Sequence, residues 1–83
     1  MTGERIPDGK AGDQHRWKPG DYGRIDGHWW IRPPRGSMGN IDNHEVSEHE
    51  DGTITVSPSI LLESMDGSVI WHGYLERGVW REA

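Results

Sequence analysis

Four Asp-Gly pairs punctuate this chain: Asp8-Gly9, Asp26-Gly27, Asp51-Gly52 and Asp66-Gly67. Glycine accepts positive φ at little cost, so Asp-Gly between β-type runs is a strong hairpin signal. The last three pairs sit between such runs. They confine the chain to short antiparallel strands.

The second pair lies between Tyr22-Gly23-Arg24-Ile25 and His28-Trp29-Trp30-Ile31-Arg32. A two-residue turn there sets Ile25 opposite His28 and Tyr22 opposite Ile31. Pro33-Pro34 then ends the strand, because neither residue can donate to a ladder. The third pair joins Glu45–Glu50 to Thr53–Ser57. A Glu50-Asp51-Gly52 loop with Gly52 left-handed sets Val46 opposite Val56; a two-residue turn sets it opposite Ser57. The first register is preferred because it joins apolar residues. Beyond Ser57-Pro58-Ser59, the run Ser59–Met65 reads either as one helical turn or as a continuing edge strand. Ser68–Leu75 and Val79–Glu82 follow, joined through Glu76-Arg77-Gly78.

The predicted fold is all-β: a meander of five to six short strands forming a curved sheet or small barrel. One domain fits the 83 residues. Residues 21–83 form the β domain. Residues 1–20, rich in Gly, Pro and charge, read as an extended N-terminal arm, loosely ordered unless bound, with Trp17 as its tether.

Only 31% of residues are hydrophobic, so the five tryptophans must supply much of the core. Cysteine is absent, which excludes disulfides and thiolate metal sites. No apolar run reaches the roughly 18 residues of a membrane span, and no secretory signal is read. The net charge of −5 is uneven. Residues 1–35 carry seven basic and five acidic groups, whereas residues 36–83 carry two basic and nine acidic. Nucleic acid is a poor partner for such a chain. The polarity fits a solvated acidic face, or head-to-tail contact with a copy of itself or a basic partner.

Candidate sites are few. His44 and His49, among Asp42, Glu45, Glu48 and Glu50, would point to opposite faces of a strand, so no metal site or cofactor is expected. Ser57, Ser59 and His72 form no nucleophile elbow and have no evident orienting carboxylate, so no catalytic residue is assigned. Glu48, Glu50 and Asp51 lie at a hairpin tip, where burial is not expected to raise a carboxyl pKa. With Glu45 they make a candidate acidic partner face. The aromatics are either core or a shelf. The shelf reading takes an exposed aromatic beside Arg24, Arg32 or Arg35 to stack a base or sugar or seat an apolar group of a partner; a nucleotide-like ligand would be held through Trp29 or Trp30, His72 and Arg32 or Arg35.

Asp51-Gly52-Thr53-Ile54-Thr55-Val56-Ser57-Pro58-Ser59-Ile60, followed by Trp71-His72-Gly73-Tyr74-Leu75 and Gly78-Val79-Trp80, resembles small uncharacterised proteins of phages and prophages grouped as a domain of unknown function. The resemblance covers about residues 28–82. Its specific elements are Ser-Pro-Ser-Ile and His-Gly-Tyr-Leu. Some such proteins carry cysteines that this chain lacks, so no metal staple is carried over. The resemblance implies a viral or prophage source, host cytoplasm or virion as the location, and a virion part or host-defence antagonist rather than a metabolic enzyme. The expected function is a non-catalytic accessory binding module contacting a protein partner or copies of itself. The alternative is a protein that sequesters a nucleotide-like ligand.

Overall fold

Alternating apolar residues between tight turns build two four-stranded sheets packed face to face; the structure is a computed structural model describing residues 1–83. The first sheet runs in the order β1 (Arg5–Ile6), β2 (Tyr22–Ile25), β3 (His28–Ile31), β4 (Gly39–Asn40). The second runs β5 (Glu45–Glu48), β6 (Ile54–Glu63), β7 (Val69–Glu76), β8 (Val79–Glu82). The fold is all-β, and each of the six expected strands is present. The sheets are separate layers, neither one curved sheet nor a closed barrel. The two additional strands, β1 and β4, are two residues each. Alternation has no meaning over so short a run, which is why the sequence did not reveal them.

Turn chemistry sets the registers. Asp26 and Gly27 both have positive φ, 51° and 81°, as the hairpin turn matching strand twist requires. Ile25 faces His28 and Tyr22 faces Ile31. Gly52 is left-handed and Val46 lies opposite Val56, the register that joins apolar residues. Ser59–Met65 resolves as strand rather than helix through Glu63: β6 continues past Pro58, with its pairing to β7 shifted between Val56 and Ile60.

The core lies between the sheets. Tyr22 and Ile31 from the first sheet meet Ile54, Val56, Ile60, Trp71, Leu75 and Trp80 from the second, with Ile41 closing one side. Trp71 and Trp80 pack edge to face, with centroids 5.3 Å apart. Trp80 also donates from Nε1 to the Gly20 carbonyl at 2.8 Å. Gly73 has no side chain because the Trp71 ring lies across it; a Cβ there would overlap that ring and the Arg81 carbonyl.

Residues 1–20, expected as a loosely ordered arm, lie docked on the domain. Thr2 bridges Val79 of β8, and β1 pairs in parallel with β2. Trp80 N donates to the Met1 carbonyl at 2.7 Å, Gly3 N to the Gly78 carbonyl at 2.7 Å, and Tyr22 N to the Glu4 carbonyl at 3.1 Å. Two 3-10 turns, Asp8–Lys10 and Gln14–Arg16, lead to Trp17, which is buried. Backbone pairing does most of the docking, and composition carries no trace of it. The tethering role read for Trp17 fits its placement against Gly23.

Candidate interaction surface

The tandem tryptophans sit on opposite faces of β3. Trp29, opposite Arg24, shares the inner face with Tyr22 and Ile31; Trp30, opposite Gly23, takes the outer face. Trp29 is not an open shelf. The Arg5 guanidinium lies 4.8 Å from its ring centroid and that of Arg24 5.3 Å. Asp8 and Glu48 hold both arginines. Arg5 donates to Glu48 Oε2 at 2.8 Å and to Asp8 Oδ1 at 3.3 Å, and Arg24 donates to Asp8 Oδ2 at 3.0 Å. Arg5 also donates to the Gly52 carbonyl at 2.8 Å. This clasp ties the first sheet to the β5–β6 hairpin. The Arg24 hydrogen bond, supported by Arg5, holds the Asp8 carboxyl below its ordinary value of 3.8.

The remaining candidates are scattered. Arg32 donates to the Trp17 carbonyl, fixing the end of the docked segment. Arg35 is exposed and pairs with Glu82 at 2.7 Å. His72 lies on the outer face of the second sheet, with Nε2 3.1 Å from Ser59 Oγ. Hence Trp29, Trp30, Arg32, Arg35 and His72 do not converge. The Ser59–His72 contact is open to solvent, and no carboxylate bonds the other ring nitrogen of His72. No cluster of three or more His, Asp or Glu side chains is arranged to hold a metal ion.

The acidic set divides. Glu48 belongs to the clasp, and Glu45 is exposed on β5. Glu48, Glu50 and Asp51 line an open depression with His49 and Arg77. Asp51 accepts from Thr53 Oγ1 at 2.6 Å and Thr53 N at 3.0 Å, which lowers its pKa. It therefore stays charged at the hairpin tip.

Two features escaped the sequence reading. The first is the β6–β7 hairpin. Leu61 is 50% exposed, Val69 60%, and Met65 at the tip is fully exposed. Isolated exposed apolar residues are ordinary, but three on one hairpin of a chain this poor in apolar residues mark that hairpin out. Glu63 and Asp66 flank its tip. Asp66 accepts from Ser64 and Ser68, whose hydrogen bonds hold its carboxyl far below the usual range. Close to the turn, Leu62 and Ile70 lie against Gly36 of the loop after β3, so this end of the hairpin is braced. An apolar residue directly before Asp66-Gly67, where turns are polar, was the available signal.

The second feature is a depression beside the docked segment. Ile6, Pro7 and Trp17 give it apolar lining, and Glu4, Lys10, Asp13 and Arg16 bring charges of both signs. The Trp17 Nε1–H is buried without an acceptor. Lys10 forms no ion pair, while Arg16 is held by Asp13 at 3.3 Å. All the lining comes from residues 4–17, so the hollow lies within the docked segment itself.

Compared with protein-family models, curated proteins and solved structures, the chain matches none of them.

Proposed function

We propose that this chain is a non-catalytic binding module that engages a protein partner through its β6–β7 hairpin. One observation carries the reading: Leu61, Met65 and Val69 stand exposed on a braced hairpin, while Trp29 is covered by Arg5 and Arg24 and Arg32 is tied to the Trp17 carbonyl. Exposed apolar side chains next to fixed charges are the usual material of protein contacts. The resemblance to phage and prophage proteins supports an accessory role of this kind, as a virion part or an antagonist of host defence.

The test is site-directed photo-crosslinking in cells expressing the chain. A photo-reactive residue at position 65 is compared with one at position 26, in the β2–β3 turn. Protein adducts from position 65, and few from position 26, are expected. Equal yields from the two positions, or no protein adduct from position 65, would overturn the reading.

A further inference from the structure

An Asp-Gly pair is a reactive dipeptide as well as a turn. The glycine main-chain nitrogen, on losing its proton, can attack the aspartate Cγ. An N–Cγ bond forms and one carboxyl oxygen leaves as water, giving a succinimide ring. Water then adds back. Addition at Cγ restores aspartate; addition at the aspartate main-chain carbonyl gives isoaspartate, with the chain running through the side chain. The water lost equals the water gained, and nothing is oxidised or reduced. Glycine favours closure because it has no Cβ to obstruct the ring. The step needs a carboxyl free to turn onto the next nitrogen, and a nitrogen not already donating.

Three of the four pairs lack one or both conditions. The Asp51 carboxylate accepts from Thr53 Oγ1 at 2.6 Å and Thr53 N at 3.0 Å, while Gly52 N donates to the His49 carbonyl at 2.9 Å. Asp66 accepts from Ser64 Oγ and from Ser68 Oγ and N, while Gly67 N donates to the Ser64 carbonyl at 3.0 Å. Asp8 is held by Arg24 at 3.0 Å and Arg5 at 3.3 Å. The same hydrogen bonds hold all three carboxyls below their ordinary value, so the protonated form that loses water is scarcer at each.

Asp26-Gly27 meets both conditions. The two residues are exposed. Ile25 pairs with His28 across the turn, and Gly27 N donates to no carbonyl. The Asp26 carboxylate takes part in no hydrogen bond or ion pair. A Cβ built on Gly27 meets nothing within 4 Å, so the ring has room to close. Asp26 is also at φ 51°, a conformation in which a residue with a Cβ is strained.

We infer that Asp26 is the site at which the folded chain isomerises to isoaspartate, and so the residue at which an isoaspartate carboxyl methyltransferase acts on it. The sequence offers four such dipeptides; the fold leaves one open. Isoaspartate lengthens the main chain by one carbon inside a two-residue turn, and the pairing of Ile25 with His28 that this turn fixes is the first to be lost. Ageing therefore loosens the first sheet at β2–β3 and leaves the turns of the second intact, whatever the chain binds.

The wild-type chain is aged at neutral pH and body temperature, folded and, in parallel, in denaturing urea. Peptide fragmentation by electron-transfer dissociation locates isoaspartate, and enzymatic methyl transfer from S-adenosylmethionine counts it. In the folded chain, isoaspartate at residue 26 is expected to accumulate at least about fivefold faster than at 8, 51 or 66, the factor one hydrogen bond on a reacting group is worth. In urea the four rates converge, because the dipeptide is the same and the restraints are gone. Asp26→Gly keeps a turn of the same type without the carboxyl, and removes most of the methyl transfer to the aged folded chain. No isoaspartate at residue 26, equally fast formation at another pair in the folded chain, a lead for residue 26 that persists unchanged in urea, or methyl transfer undiminished in Asp26→Gly would each overturn the inference.

Discussion

Gly73 shows how little room the core leaves. The Trp71 ring occupies the space a Cβ would need, and the Arg81 carbonyl closes the other side. Gly73→Ala forces the ring or β8 to move, an overpacking cost of about 1–3 kcal/mol. For a domain this size each kcal/mol lowers the melting temperature by about 4–8 °C. Thermal unfolding followed by circular dichroism checks it. Trp80→Phe keeps most of the ring but orphans the Gly20 carbonyl, so a loss of about 1–3 kcal/mol is expected in urea titration. Met65→Lys, by contrast, should leave stability within about 0.5 kcal/mol of wild type, because the side chain touches no core. A large loss there would mean that Met65 packs inside the fold. These contrasts follow from burial, which composition does not give. Five tryptophans in the sequence look interchangeable, yet Trp71 and Trp80 form the core, Trp17 tethers the docked segment and Trp29 lies beneath two arginines.

Among elements, hairpins were legible and edges were not. Asp26-Gly27 set the β2–β3 register, and Val46 opposite Val56 was readable because slipping by one residue would expose both. Strands β1 and β4 were invisible, since their pairing depends on backbone groups rather than on a pattern of side chains. The Arg5–Asp8–Arg24–Glu48 clasp was invisible for another reason: its members lie up to 43 positions apart. The clasp makes docking of the first segment sensitive to acid. The Asp8 pKa is lowered on folding, so its contribution is present above the ordinary value of 3.8 and is lost as pH falls through the folded value. The melting temperature should therefore drop as pH is lowered below 3.8, and Asp8→Asn should flatten part of that drop. An unchanged slope in Asp8→Asn would show that other carboxylates carry the acid sensitivity; Asp51 and Asp66 are also held below their ordinary value.

At the scale of the whole molecule, the two sheets are joined along a seam made by residues 1–6, which pair with β8 at one end and β2 at the other. The seam also has a consequence in time. Trp80 N binds the Met1 carbonyl, and Gly3 N binds the Gly78 carbonyl, across nearly the full length of the chain. A chain emerging from the ribosome presents its first residues long before the strand that receives them exists. Hairpins β2–β3 and β5–β6, whose contacts are local, close early; the seam forms only once Trp80 has been made. Until then the first residues travel without their partner strand. The slowest pairing in this fold is thus set by its earliest and latest residues, and a refolding experiment should find protection of the Trp80 amide arriving after that of Val46 and Val56.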